Sequence, residues 1–333
     1  DLPLDINLKT KNKKVNFKNI ESTINQISKK VNKETLILIG TTLPPGSTEK
    51  IIYPIIKKNF IKRGLNYKKI LLAHSFERVT PGKNYINSII NSYKVYSGIN
   101  NISKKACNKF LSSFINTKSY PLTELKTITA SETAKILENS YRAVNISFIR
   151  EWTKFAELAK LDLYEIIQSI KLRKTHNNIM LPGLGVGGYC LTKDPAFAEY
   201  SAKHIYGTNL KFPFSELALK NNKQMPNDSF NKIKLILKHN LFRKKILICG
   251  ITYKEDVGDT RESPSQKLYS MFSNKGSIIT CTDPNINYWE ELNLKINTKL
   301  NLNQFYKYDL VIFAVKHQVY SKINFSNIKK FKG

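Results

Sequence analysis

The chain has 333 residues, and its 54 lysines and arginines against 25 aspartates and glutamates give a formal net charge of +29. Apolar residues make up 41% and charged residues 24%, which is typical of a globular protein and excludes an intrinsically disordered one. No apolar run reaches the roughly 18 residues of a membrane span, and nothing at the start of the chain predicts a secretory leader. The four cysteines are scattered without a CxxC pair. This pattern excludes a disulfide scaffold or a cysteine-rich zinc module and favours the cytoplasm.

The basic charge is mostly lysine, since only seven of the 54 basic residues are arginines. Nucleic-acid readers depend on arginine for paired contacts to bases and phosphates, whereas these lysines run from end to end among abundant Asn and Ile. We interpret the charge as the solvated surface of a protein from an A/T-biased genome and expect no nucleic-acid or membrane partner. A surface that binds polyanions is the alternative.

The first third of the chain has a β–α–β pattern. The apolar run Glu34–Gly40 predicts a buried parallel strand, and Thr41–Gly46 a turn. Ser47 is expected to N-cap a helix to about Phe60. Lys69–His74 predicts the next strand, followed by a loop over Ser75–Gly82.

A long helix is predicted from Thr129 to about Lys160, because Thr129 and Glu132 have capping-box spacing. One apolar stripe of this helix consists of Ala134, Leu137, Tyr141, Val144 and Phe148. A separate polar stripe consists of Lys135, Asn139 and Arg142. The length of the helix suggests that it ties domains or subunits together.

Further helices are predicted over 162–170, over 212–222 and from 228 to about 239. A second alternation follows, with strands over 244–250, 277–281 and 309–315 and a helix over 262–272. We therefore predict an α/β fold with two Rossmann-like parallel-sheet domains, the first incomplete, joined by a long central helix and a helical middle domain. The expected domains are residues 1–120, 121–225 and 226–333.

A glycine-rich stretch over Leu181–Pro195 is the most unusual part of the sequence. Gly183, Gly185 and Gly188 satisfy GxGxxG, but no strand precedes them, so we do not interpret them as a dinucleotide fingerprint. They predict a loop whose backbone approaches a ligand closely. A purely structural turn is the alternative.

Cys190 follows these glycines and precedes Lys193 and Asp194. A nearby cation favours the thiolate, which is an effective nucleophile. If a helix begins around Cys190, Asp194 lies on its same face one turn later. The alternative is a buried, inert cysteine, which is how we interpret Cys107, Cys249 and Cys281.

Three further residues are candidates for chemistry. Lys135 and Asn139 are spaced i, i+4 on the long helix and are suited to stabilise an oxyanion, although such a pair is also typical of a solvated helix face. Glu77 lies in a loop after a strand, where active-site residues of α/β folds are found. No GxSxG or HExxH motif is present, so neither a serine triad nor a metal site is expected.

Five segments, in order, resemble the UDP-glucose/GDP-mannose dehydrogenase family of nucleotide-sugar 6-dehydrogenases. They are Thr41–Glu49, Phe76–Gly82, Ser131–Asn139, Gly185–Pro195 and Gly250–Pro264. The resemblance implies NAD-dependent four-electron oxidation of the C6 hydroxyl of a UDP-hexose or UDP-N-acetylhexosamine to the uronate, through a thiohemiacetal and a thioester on cysteine. It also implies a role in surface polysaccharide biosynthesis and a homodimer formed through the long helix.

The resemblance further implies individual roles. Cys190 is the expected nucleophile, Asp194 assists proton transfer, Lys135 and Asn139 stabilise the oxyanion, Glu77 acts on water or as a general base, and Thr42 helps hold that water. The expected cofactor-binding residues are Thr41, Thr42, Lys193 and Arg261. The expected substrate-binding residues are Glu77, Lys135, Asn139, Leu181, Gly183, Gly185, Gly187, Tyr253 and Lys254.

Departures from the family pattern narrow these expectations. The family's N-terminal GxGxxG half is missing, so we expect the chain to be a fragment. Pro81 stands where many UDP-glucose members carry a second acidic residue, which favours an N-acetylhexosamine substrate. Lys174 or His176, beside Arg173, occupies the region where members often present an arginine from a neighbouring subunit. The alternatives are a non-catalytic nucleotide-sugar or polyanion binder and a cysteine hydrolase, which would need a histidine near the thiol.

Overall fold

A computed structural model describes residues 2, 4–8, 13–79, 82 and 84–325. The strands are β1 (Ile6–Asn7), β2 (Lys14–Val15), β3 (Ile37–Ile39), β4 (Leu72–His74), β5 (Val95–Gly98), β6 (Thr123–Glu124), β7 (Lys245–Cys249), β8 (Ile278–Thr282), β9 (Tyr288–Trp289), β10 (Leu294–Lys295) and β11 (Leu310–Phe313). The α-helices are α1 (Lys18–Lys30), α2 (Tyr53–Lys62), α3 (Tyr85–Ile90), α4 (Asn101–Ser112), α5 (Ile128–Ala159), α6 (Leu163–Lys171), α7 (Phe197–His204), α8 (Pro213–Ile236), α9 (Pro264–Ser273) and α10 (Gln318–Ser321). Within this described part of the chain, no helix is long and apolar enough to cross a membrane.

The chain forms two compact units, which are described separately. The first comprises Asp1–Tyr141 and Lys193–Glu216, and the second comprises Arg142–Thr192 and Leu217–Gly333.

The first unit is built on a four-stranded sheet of order β3-β4-β5-β6. Strands β3 and β4 are parallel, as are β5 and β6, whereas β4 and β5 are antiparallel. Buried residues of β4, β5 and α4, namely Ala73, Tyr96, Cys107 and Leu111, form a core against one face. Because β3 and β4 are parallel, Thr41, which follows β3, and Ser75, which follows β4, both lie at the carboxyl edge of the sheet.

The second unit contains a parallel sheet of order β11-β7-β8. Its core includes Ile246, Ile248, Leu268, Phe272 and Trp289, all fully buried. Strand β7 is buried along almost its whole length, as expected of a central parallel strand. The predicted α/β fold is confirmed, with the antiparallel β4–β5 pair as an unpredicted detail.

The side-chain capping predicted at two helix starts is wrong, although both helices begin within one residue of the predicted position. Ser47 occupies the N-cap position, but its Oγ donates to the Pro44 carbonyl at 2.6 Å and makes no capping bond to the helix. The helix begins as a π-helical turn over Thr48–Ile52. Helix α5 begins at Ile128, and Thr127 Oγ1 accepts from the amide of Ala130 at 3.1 Å. Glu132 therefore does not form the predicted capping box with Thr129.

Two other helix predictions are also corrected. The helices expected over 212–222 and 228–239 are one helix, α8, which continues through Pro226. No helix begins at Cys190: residues 189–193 form turns, and a short 3₁₀ helix follows over Asp194–Ala196. Pro226, which predicted a break between two helices, thus lies inside one continuous helix.

Candidate active site

In the first unit, Thr41 and Thr42 are half-buried in the turn that follows β3. Thr41 Oγ1 donates to the Leu2 carbonyl at 2.9 Å and accepts from the Leu2 amide at 3.0 Å. At the end of the turn Gly46 has a φ of +91°, and a Cβ there would lie 2.6 Å from the Tyr206 hydroxyl. Glycine is therefore required to close this turn.

Glu132 anchors the same turn from helix α5. Its fully buried carboxylate accepts from the Gly46 amide at 2.5 Å, from the Thr48 amide at 2.9 Å and from Thr48 Oγ1 at 2.6 Å. Burial raises the pKa of Glu132 to about 7, although the three donors favour its charged form. This positioning role was missed, because the sequence spacing indicated a local cap instead.

In the polar stripe of α5, Lys135 and Asn139 are buried and Arg142 is exposed. Lys135 is 8% exposed and Asn139 is 3% exposed, whereas Leu137 on the apolar stripe is 67% exposed. The alternative of a solvated polar helix face is therefore wrong. Partners on other elements satisfy both polar side chains.

Asn139 contacts Asp194. Asn139 Nδ2 donates to Asp194 Oδ2 at 2.7 Å, and Lys193 Nζ donates to Asp194 Oδ1 at 3.0 Å. Burial raises the pKa of Asp194, and the adjacent Lys193 and Asn139 oppose that rise. Lys193 Nζ also lies 4.7 Å from the centre of the Phe197 ring. The result is a buried carboxylate between a cation and an amide donor.

Lys135 contacts the loop that carries Glu77. Its Nζ donates to the Glu77 carbonyl at 3.0 Å and lies 5.4 Å from the centre of the Phe76 ring. The Glu77 carboxylate is exposed and forms an ion pair with Lys94. The first unit thus contains two bonded groups, one that joins Lys135 and Lys94 to Glu77 and one that joins Asn139 and Lys193 to Asp194. The charge of Lys135 also acts to lower the pKa of Asp194. Sequence analysis did not indicate Lys94.

In the second unit, Cys190 is the exposed member of the four cysteines. Cys107, Cys249 and Cys281 are buried, as predicted, and burial raises the pKa of each thiol to about 12. The alternative that Cys190 is a buried, inert cysteine is excluded. All four lie within the described residues, and none forms a disulfide.

The glycine loop before Cys190 is fitted against Tyr253 and Arg261. The Gly188 amide donates to the Arg261 carbonyl at 2.9 Å, and Gly188 has a φ of +78°. A Cβ on Gly187 would lie 2.6 Å from Tyr253 Cβ. By contrast, nothing lies within 4 Å of a Cβ built on Gly183. Two of the glycines are thus structurally required.

The other predicted residues of the second unit are partly accessible. The Arg261 guanidinium binds both carboxylate oxygens of Asp259, and this pairing raises its pKa. Lys254 is half-buried, and its carbonyl accepts from Thr252 Oγ1 at 3.1 Å. Leu181 is exposed, and a Cβ on Gly185 would contact Pro264 at 3.1 Å.

A buried His–Asp pair that the sequence did not indicate supports the loop after β7. Asp283 Oδ2 accepts from the Ile251 and Thr252 amides and lies 3.1 Å from His317 Nε2. Although burial opposes the charge, these donors keep the pKa of Asp283 below its usual value. The pair fixes the backbone that leads to Tyr253 and Lys254.

Two regions of the chain carry the sequence-based expectations about substrate contacts and substrate preference. Arg173, Lys174 and His176 are exposed, in and next to a 3₁₀ turn. Pro81, on which the N-acetylhexosamine preference rests, lies outside the described residues.

Comparison with known proteins settles the family. Residues 7–114 match the NAD binding domain, residues 129–224 the central domain and residues 247–332 the UDP binding domain of the UDP-glucose/GDP-mannose dehydrogenase family. The chain belongs to this family. The resemblance inferred from the sequence motifs is therefore confirmed, and the family consists of NAD-dependent nucleotide-sugar dehydrogenases.

Individual relatives agree with this assignment. The chain is 31% identical to the UDP-N-acetyl-D-mannosamine dehydrogenase of Methanocaldococcus jannaschii, over 95% of this chain and 67% of that relative. It is 26% identical to the UDP-glucose 6-dehydrogenase of Rickettsia conorii, over 94% of this chain and 70% of the relative. The solved structure of UDP-D-ManNAc dehydrogenase from Pyrococcus horikoshii is 26% identical with a TM-score of 0.78, over 95% of this chain and 71% of that one. The chain thus spans about two thirds of the length of the first relative.

The first unit fits the cofactor that the family uses. Thr41 and Thr42 follow β3, and Glu77 follows β4, so these side chains lie at the carboxyl edge of a parallel strand pair. Ligands of open α/β sheets bind at that edge. The geometry and the matched NAD binding domain together support NAD as the cofactor.

Proposed function

We propose that the complete encoded protein oxidises the C6 hydroxyl of a UDP-sugar to the carboxylate in two successive two-electron steps. The observation that carries this proposal is the exposure of Cys190 at the end of a tightly fitted glycine loop, while the three other thiols are buried. NAD, when bound, supplies the hydride acceptor for each oxidation. The remaining chemistry falls to the chain's own side chains.

The proposed roles follow from the geometry of each residue. Cys190 attacks the C6 aldehyde, and its sulfur forms the thiohemiacetal that a second oxidation converts to a thioester. Lys135 and Asn139 are preorganised donors for the oxyanion. Asp194 accepts and returns a proton, and Glu77, whose carboxylate is exposed to solvent, activates the water that hydrolyses the thioester.

A UDP-N-acetylhexosamine is the proposed substrate. Support comes from relatives named UDP-N-acetyl-D-mannosamine dehydrogenase and from Pro81 at the position of the second acidic residue of many UDP-glucose enzymes. The product would be a uronic acid unit for a surface polysaccharide. The absence of disulfides among the four cysteines fits a cytoplasmic enzyme.

Counting NADH released for each sugar tests the reaction. The complete protein should release two NADH per UDP-N-acetylhexosamine consumed, with UDP-glucose as the competing substrate. One NADH with free aldehyde would contradict the thioester route. Cys190→Ser should abolish acid formation but keep nucleotide-sugar binding, whereas Cys107→Ser, at a buried thiol, should retain turnover. No turnover by the wild type, together with polyanion binding that weakens steeply with salt, would favour the non-catalytic alternative.

Helix α5 is the proposed dimer interface. Beyond Leu137, its exposed residues include Phe148, Trp152 and Phe155, whose rings contact each other edge to face at 6.2 Å and 5.9 Å. A contiguous exposed apolar face of this kind marks a protein–protein interface. Trp152→Glu should shift the sedimentation coefficient from that of a dimer to that of a monomer.

A further inference from the structure

Lys94 is a lysine that is almost fully buried. It is 1% exposed, and its ammonium pairs with the Glu77 carboxylate. Lysine is rarely buried unless it is paired, because removing an ammonium from water costs several kcal/mol. The ion pair with Glu77 is therefore what makes this burial possible.

The backbone around Lys94 fixes the direction from which the ammonium approaches. The Lys94 carbonyl accepts from the Thr123 amide at 2.9 Å, in the pairing of β5 with β6. On either side, Arg78 Nη1 donates to the Tyr93 carbonyl at 2.6 Å, and Ser75 Oγ donates to the Val95 carbonyl at 3.0 Å. The segment that carries Lys94 is thus tied both to the sheet and to the Glu77 loop.

Glu77 is held on two sides and open on a third. Lys135 holds its carbonyl, Lys94 holds one carboxylate oxygen, and the side chain remains 43% exposed. The neighbouring Arg78 is fixed by two hydrogen bonds to Glu138 Oε2, at 2.9 Å and 3.0 Å. The carboxylate thus has a restricted position and a face that water reaches.

We propose that Lys94 is a positioning residue that holds the Glu77 carboxylate in the correct orientation for its action on water. This inference rests on the proposed function and adds to it a residue that touches neither sugar nor cofactor. The ion pair with the buried ammonium limits the rotation of the carboxylate. Holding a base in its reactive geometry contributes to rate without contributing to substrate binding.

A stability cycle tests the pair independently of any activity. The variants are Glu77→Gln, Lys94→Met and the double variant, each in the complete protein and measured by thermal midpoint. Glu77→Gln strands a buried ammonium, whereas Lys94→Met leaves a carboxylate that water still solvates. Glu77→Gln should therefore lower the midpoint more than Lys94→Met, and the double variant should recover most of the loss. Additive losses, or the reverse order, would overturn the pairing.

A kinetic cycle then tests the positioning role. Lys94→Met should lower kcat about tenfold or more while KM stays within about twofold. Lys94→Arg should retain most of the rate. When Glu77 is already replaced by Gln, adding Lys94→Met should lower kcat no further. Lys104→Met is the control, because Lys104 also pairs with a half-exposed carboxylate, that of Glu124, which is 47% exposed against 43% for Glu77. Equal losses in both backgrounds, or an equal loss in the control, would refute the role. Absence of turnover in the wild type would refute the proposed function and the role with it, while the melting cycle would still establish the pair.

Discussion

Replacing Glu132 with glutamine tests whether this residue secures the turn that carries Thr42. The wild-type carboxylate accepts from the Gly46 amide through one oxygen and from the Thr48 amide and hydroxyl through the other. Glutamine keeps one oxygen for Thr48 but turns an NH₂ group toward the Gly46 N–H. One hydrogen bond is lost, and two donors then face each other in a buried site.

The size of the effect follows from these contacts. A hydrogen bond to a charged group contributes about 1.5–3 kcal/mol, and a buried donor left without a partner costs about 1–3 kcal/mol. The local opening free energy of the turn should therefore fall by about 3–5 kcal/mol. This corresponds to a loss of roughly a hundredfold to several thousandfold in amide protection at Gly46.

Hydrogen exchange at pH 7.5, followed in peptides that contain Gly46 and Thr48, measures this change directly. Glu124→Gln is the control, because Glu124 also accepts from a hydroxyl and pairs with a lysine but is 47% exposed. A half-exposed pair of this kind contributes less than about 1 kcal/mol. Wild-type protection of the Gly46 and Thr48 amides in Glu132→Gln would refute the anchoring role.

Two further predictions concern pH and the glycine loop. Burial lowers the pKa of His74 from 6.5 to about 4, so the contribution of His74 to stability is complete above pH 6.5 and is lost as the pH falls toward 4. Burial raises the pKa of Glu132 from 4.5 to about 7, so the contribution of Glu132 is complete below pH 4.5 and is lost as the pH rises to 7. Each of the two pKa shifts contributes about 3 kcal/mol, and the two contributions change with pH in opposite directions. In Glu132→Gln the free energy of unfolding, measured with urea, should therefore fall more steeply than in the wild type as the pH is lowered from 6.5 to 4.5. Equal pH dependence in the two proteins would contradict this. Gly187→Ala should lower the free energy of unfolding by about 1–3 kcal/mol, because the added methyl group clashes with Tyr253. The control Gly183→Ala should change the free energy of unfolding by less than about 0.5 kcal/mol. Equal melting curves for the two variants would refute the close fit of the glycine loop against Tyr253.

Much of the fold was predictable, because short apolar runs that end at Gly or at a turn indicate the strands of a β–α alternation. Strands β3, β4, β7 and β11 fall within the predicted runs, and β8 extends one residue beyond its run. Local spacing failed where a distant partner competed for the same side chain. Glu132 has capping-box spacing from Thr129, yet amides more than eighty residues away bind it.

The candidate site was predictable where residues are adjacent in sequence or share a helix face, as with Lys193 and Asp194 or Lys135 and Asn139. The bond from Asn139 to Asp194 joins residues 55 positions apart, and no periodicity indicates it. Lys94 was missed for a different reason. In a chain with 54 basic residues, one buried lysine carries no distinguishing sequence signal.

At four positions helix α5 reverses the usual relation between hydropathy and tolerance to mutation. Its polar residues Lys135 and Asn139 are buried and bonded, while Leu137 and Phe148 are exposed. Polar replacements at Leu137 or Phe148 should therefore leave the folding of the chain nearly unchanged, whereas even conservative changes at Lys135 or Asn139 disrupt buried contacts. Any scoring of natural or engineered variants that equates apolar positions with the core would rank these four sites in the wrong order.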